Sequence, residues 1–249
     1  VSGQTGTAHV TVTVRDAGLD GTLGNADDGI VSRSFTVSVL ESVPLPSGIS
    51  LRLDASTLTL ANGAPVTGMT DLSGNGNDAI VAAGTPTFNA SGLAGKGTVT
   101  LDAAGLRTTN NIGFSGGEDR SVFIVMRRNG TNRITVQTGD SGAFTGWGMT
   151  SQSNGIWCPY VNGSGGVNPS DNIRPEDTFE IYSALHQHGV PTETAGTNYG
   201  YVNGTLLGTG DNGPDINTVA SPLYIGVGPA ISSEVNGEFA EIIVYNRYL

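Results

Sequence analysis

Four carboxylates stand close enough in sequence to invite a paired-acid reading: Glu176 with Glu180, and Glu238 with Glu241. Hydrolysis of a glycosidic bond with retention needs two carboxyl groups about 5 Å apart on one surface. Residues three apart on a regular strand point to opposite faces, so Glu238 and Glu241 miss that requirement, and Glu176 and Glu180 near a strand start read as solvated charge. His186-Gln187-His188 sets two imidazoles at i and i+2 on one strand face, a spacing that suits zinc or copper. Two ligands are too few, His9 is remote in sequence, and the pair is expected at the surface of a strand end. No G-x-S-x-G elbow is present to seat a serine nucleophile. The chain is therefore read as a non-enzyme with no catalytic residue.

Oxygen donors are more abundant. Asp16, Asp20, Asn25, Asp27 and Asp28 crowd a glycine-rich stretch, and calcium takes six to eight hard oxygens from such flexible loops. Their spacing is not that of an EF-hand, so a calcium site here needs its own loop fold; the alternative is a solvated acidic turn. A second calcium candidate, Asp71 with Asn75, Asn77 and Asp78, uses residue types equally typical of Asx-turns that bond their own backbone.

Sugar recognition combines an aromatic platform with Asn, Asp and Arg for the hydroxyls. The densest such stretch runs from Trp147 through Trp157 and Tyr160 to Asn162, and Tyr199 beside Asn198 adds a further candidate. Trp157 and Tyr160 share a strand face only if Pro159 marks a bulge, which its missing N–H makes reasonable. The competing expectation is that Trp147 and Trp157 fill a core.

The elements that must hold these residues are strands. The chain has 249 residues with 38 glycines and only 13% charged residues, against about 25% in average proteins; helix formers are scarce, and the prior is all-β. Residues 9–14 alternate strictly, with Val10, Val12 and Val14 on one face, and Phe35, Val37 and Val39 repeat the pattern. Residues 1–42 thus read as a long-looped hairpin that must pack on something, because two strands cannot bury their own faces. Pro44 and Pro46 stiffen a linker over 43–48, and 49–249 carries at least eight further short strands. Residues 121–126 are apolar on both faces and are expected in mid-sheet; Asn203-Gly204 is a type I′ turn signal.

The formal charge of −11 disfavours nucleic acid and anionic membranes, whereas metal cations and neutral glycans suit it better. Cys158 is the only cysteine, so no internal disulfide forms. No apolar run reaches the roughly 18 residues of a membrane helix. Val1 is expected to lie inside a longer chain.

The first 42 residues resemble the closing strands of immunoglobulin-like or cadherin-like repeats of bacterial surface proteins, through His9–Val14, the acidic glycine loop and Phe35–Val39. Leu51-Arg52-Leu53-Asp54, Asp71-Leu72-Ser73-Gly74-Asn75-Gly76-Asn77-Asp78, Tyr201-Val202-Asn203-Gly204, Leu223-Tyr224-Ile225-Gly226 and Gly237-Glu238-Phe239-Ala240-Glu241-Ile242-Ile243-Val244-Tyr245-Asn246-Arg247 follow in order. Together they resemble the concanavalin A-like lectin/glucanase superfamily, in its laminin G-like branch. The resemblance implies a two-sheet antiparallel jelly-roll sandwich, glycan or polysaccharide as ligand, calcium near the rim, secretion or display at the cell surface, adhesion, and neighbouring domains of a longer chain as partners. The E-x-D-x-x-E strand motif of the superfamily's hydrolases is missing here, which implies binding without catalysis. The alternative is a structural or adhesive spacer acting through protein contacts.

Overall fold

The computed structural model describes residues 5–39, 44–128, 135–140, 145–152, 155–161, 167, 177–189, 196–211, 216–228 and 236–249. The chain divides into two compact units, Val1–Ser47 and Gly48–Leu249.

In the first unit, strand β1 (Gly6–Arg15) pairs antiparallel with β2 (Ile30–Val39), in a register running from Gly6 opposite Val39 to Arg15 opposite Ile30. Val10 meets Phe35 and Val14 meets Val31, so the apolar residues of both strands share one face. The other face is laced by hydroxyls: Thr11 bonds Ser34 and Thr13 bonds Ser32, each at 2.8 Å. Val12 and Phe35 on the apolar face are 50% and 54% exposed.

The second unit continues with β3 (Ile49–Asp54), a 3-10 turn at Ala55–Thr57, β4 (Gly68–Met69), β5 (Ala79–Ala83), β6 (Thr87–Leu93), β7 (Lys96–Asp102), β8 (Gly105–Thr108) and β9 (Arg120–Arg128). There follow β10 (Thr135–Gly139), β11 (Gly146–Gln152), β12 (Gly155–Val161), β13 (Glu180–Gln187), β14 (Thr197–Val202), β15 (Thr205–Asp211), β16 (Tyr224–Ile225) and β17 (Asn236–Tyr245). They form an all-β sandwich of two antiparallel sheets. One sheet has the order β12-β11-β10-β16-β8-β5-β4, and the other β15-β14-β13-β9-β17-β7-β6 with β3 also on β17. The doubly apolar strand β9 lies between β13 and β17, as its composition requires. Asn203 and Gly204 take φ of 50° and 77° between β14 and β15, the positive values a type I′ turn demands.

Alternate residues of each sheet interdigitate between the layers. Leu51, Leu53, Val122, Ile124, Ile242 and Val244 from one sheet meet Met69, Leu106, Val136, Trp147 and Ile225 from the other. Among the described residues no helix is long and apolar enough to cross a membrane.

Candidate functional site

The first residue of β9 organises one end of the sandwich. Arg120 has the inward parity of Val122 and Ile124, yet it carries a guanidinium at 0% exposure. Its Nε donates to the Glu118 carbonyl, Nη1 to Thr218 Oγ1 and Nη2 to the Gly116 carbonyl, each at 2.7 Å. Its plane also lies over the rings of Phe114 and Trp147, 4.6 and 5.5 Å from their centroids. Burial pulls this guanidinium below its ordinary pKa, while the charges of Glu118 and Asp119 work in the opposite sense. The loop before β9 is thereby tied to the core. Gly116 and Thr218 also exchange backbone hydrogen bonds of 2.8 and 3.1 Å, and Ser115 N donates to Glu118 Oε2 at 2.7 Å.

Behind the loop runs a buried polar chain. Asn198 Oδ1 accepts from Trp147 Nε1 at 3.2 Å and lies 3.0 Å from His186 Nδ1, which therefore carries the proton. Burial first, and then the charge of Arg120, depress this histidine to a pKa of about 4, so it is neutral at physiological pH.

In front of the loop lies a cavity of about 630 Å³ lined by Gly113, Gly117, Glu118, Asp119, His188 and Asn246. It shares Gly113 and Asn246 with a neighbouring cavity of about 440 Å³ reaching Ser50, Asn75, Asn77 and Asn111, and together they form one groove. The His188 N–H donates to Asp119 Oδ1 at 2.6 Å, fixing the carboxylate. A tyrosine pair belongs to the same strand ends. Tyr199 Oη donates to Gln187 Oε1 at 3.4 Å, next in sequence to His188, and its ring meets that of Tyr248 at 5.4 Å, two residues beyond Asn246. Burial, then the neighbouring Tyr201 and Tyr199, hold the Tyr248 phenol above its ordinary pKa.

The structure sorts the sequence candidates. Trp147, expected as a possible platform, is a core residue: it is 0% exposed, edge-on to Phe114 at 6.1 Å, and no sugar face can reach it. Three steps along β12, from Trp157 opposite Thr150 to Tyr160 opposite Gly148, span only two along β11. The anticipated bulge at Cys158–Pro159 is therefore present, and Trp157 and Tyr160 occupy the same register face. Their side chains, and Asn162 altogether, lie outside the described residues. Tyr199 packs on Tyr248, and neither is among the residues lining the two cavities. Glu118, Asp119 and Asn246, which line the groove, come from loops with no distinctive motif, and sequence reasoning missed them.

The acidic candidates are bonded to their own backbone. Asp71, 6% exposed, accepts from Arg52 N, Ser73 N and Asn77 N at 2.9–3.0 Å; burial pushes its pKa up, but these donors outweigh it and hold the carboxyl low. Asp78 Oδ1 accepts from Asp71 N, and Asn75 and Asn77 donate to the Ser50 carbonyl. In the first unit Asp16 Oδ1 accepts from Gly18 N and Gly29 N, Asp20 from Thr22 N and Asn25 Nδ2, Asp27 from Leu19 N and Asp28 Oδ2 from Gly24 N. Among the described residues no three His, Cys, Asp or Glu side chains converge as a metal site.

The histidines also part company. His188 lines the groove, but His186, expected at the surface, is buried at 1% because its parity follows Tyr182 and Ala184. Among the carboxylates, Glu238 is buried and bonded to Arg127 Nε at 2.7 Å and to Asn89 and Thr100, while Glu241 holds Arg52 Nε at 2.8 Å. Glu180 accepts from Tyr182 Oη at 2.6 Å, and Glu176 lies outside the described residues.

Fold and groove together define a class: an antiparallel β-sandwich with a polar groove at one end. Among solved structures the chain is similar to domain 4 of AbnA, a GH43 extracellular arabinanase from Geobacillus stearothermophilus, in complex with arabinotriose. The identity is 16% over 81% of this chain and 94% of that one, with a TM-score of 0.57. It is also similar to an arabinofuranosidase complexed with arabinofuranosyl-alpha-1,2-xylobiose, at 16% identity, 100% and 57% coverage and TM-score 0.54. A third similar structure, at 15% identity, 81% and 48% coverage and TM-score 0.52, is of botulinum neurotoxin type C, whose cell entry depends on interaction with two ganglioside molecules. The chain spans about half the length of the latter two. No family model and no curated protein matches the chain. At such identities the likeness establishes the fold alone.

Proposed function

We propose that Gly48–Leu249 is a non-catalytic carbohydrate-binding module of a secreted or cell-surface protein, laminin G-like in kind, with the end groove as its glycan site. One observation carries the reading: an open polar cavity of about 630 Å³, within the usual range of roughly 300–1,000 Å³ for ligand sites, is lined by the fixed carboxylates Glu118 and Asp119 beside His188 and Asn246. Arabinotriose in the complex of a similar domain, and gangliosides for a similar toxin, support glycans as the ligand class. The absence of catalysis rests on Glu238 and Glu241 being committed to arginines.

The test is glycan-array binding followed by affinity electrophoresis. Asn246→Ala is expected to abolish retention and Asp119→Asn to weaken it, both with unchanged melting, while Trp157→Ala retains it. Loss with Trp157→Ala alone transfers the site to β11 and β12. A wild-type chain that retains no glycan is a spacer acting through protein contacts.

Calcium at the Asp16-to-Asp28 loop is a separate proposal. It is supported by Asp28 Oδ1, an oxygen shielded from solvent and without a hydrogen-bond partner, which a hard cation would satisfy.

A further inference from the structure

Resting on the glycan reading of the end groove, the geometry points to a ligand class: we infer that the groove selects uncharged polyhydroxylated sugars and rejects those bearing carboxylate or sulfate. The charged groups of the main cavity are carboxylates. Glu118 spends Oε2 on Ser115 N and Asp119 spends Oδ1 on His188 N. Each carboxylate is thus held rigid with its second oxygen left for a ligand. Asn75 and Asn77, the latter buried, spend Nδ2 donors on the carbonyls of Ile49 and Ser50 at 2.8–3.3 Å rather than on a ligand. Neutral sugar hydroxyls donate to carboxylate oxygens. A uronate or sulfate group is itself only an acceptor, so the two carboxylates offer it no donor and repel it as like charge.

Nearby cations do not reverse this. Arg120, directly behind the loop, has 0% exposure and spends its donors on Glu118, Gly116 and Thr218. Exposed Arg247 stands beside Gly48, and it is not among the residues lining the main cavity. The two acidic side chains therefore dominate the main cavity, where His188 is the remaining titratable residue. Such a groove accommodates the neutral arabinosyl chemistry bound by the similar arabinanase domain better than acidic glycans.

The experiment titrates the full chain by calorimetry with arabinotriose and xylotriose, and with trigalacturonate and sialyllactose, at low and high salt. Neutral trisaccharides are expected to bind at least tenfold more tightly, with the gap narrowing in high salt and in the Glu118→Gln/Asp119→Asn double variant. Those amides keep the oxygens that cap Ser115 and His188, so the melting curve reports that the loop is intact. Acidic sugars binding as tightly as neutral ones overturn the inference, as does an unchanged gap in the double variant. Failure of the wild-type chain to bind any sugar across the array overturns the glycan reading itself, a separate outcome from reversed selectivity.

Discussion

Replacing Arg120 with methionine tests whether one buried cation holds the groove wall. The change removes three hydrogen bonds and leaves the carbonyls of Gly116 and Glu118 and the Thr218 hydroxyl facing an apolar chain. Each buried acceptor stripped of its partner costs about 1–3 kcal/mol, and losing the cation over Phe114 and Trp147 adds about 1 kcal/mol. Against this stands relief of the desolvation that depresses the guanidinium pKa. Broken buried polar pairs leave a net of about 3–5 kcal/mol. In a domain of this size each kcal/mol moves Tm by about 2–4 °C, so calorimetry is expected to show a fall of roughly 6–20 °C. Arg120→Lys keeps the charge but loses the planar fork, and is expected to fall between the two. Glycan affinity should drop with it, since Gly117, Glu118 and Asp119 ride on the anchored loop. A methionine variant melting within 2 °C of wild type, with its affinity intact, refutes the anchoring argument.

Other expectations follow from the same contacts. His186 is neutral when folded with its pKa depressed to about 4. Below the ordinary value near 6.5 the unfolded chain therefore binds the extra proton, and stability falls as pH drops from about 6.5 to 4 by about 3 kcal/mol; denaturant titrations across that range should show the loss, and His186→Gln should flatten it. Asp71→Ala strips Arg52 N, Ser73 N and Asn77 N of their acceptor and is expected to cost about 2–4 kcal/mol in urea unfolding, with Asp71→Asn recovering part of it. If the Asp16-to-Asp28 loop takes calcium, excess metal should raise the melting temperature, by about 2.7 kcal/mol of linkage at a hundredfold excess over Kd; Asp27→Ala should remove the rise, and an unchanged curve with chelator leaves the hydrogen-bonded turn alone.

Much of the sandwich is legible residue by residue because strand character is local. Alternation places Val122, Ile124 and Met126 on one face, the double apolarity of 121–126 puts β9 in mid-sheet, and Asn203-Gly204 turns where only positive φ closes a hairpin. The same parity, carried one step further back, reaches Arg120, and along β13 it reaches His186. Both were therefore open to reading as inward residues, although a charged or titratable type argues against burial until its partners are known.

Those partners are what tertiary structure alone decided. Arg120 is buried because Gly116, Glu118 and Thr218 supply acceptors, and Thr218 stands 98 residues away. Likewise a single extra residue at Cys158–Pro159 shifts the register of β12, so that Tyr160 pairs with Gly148 and Val161 with Trp147. The groove is more remote still from any local pattern. Asp119, His188 and Asn246 meet because antiparallel order brings the start of β9 and the ends of β13 and β17 to one edge. Sequence by itself determined the strands, their faces and the acidic, cysteine-poor chemistry, since each depends on neighbours along the chain; which loop ends converge depends on strand order across the sheet, a property of pairing that no local spacing encodes.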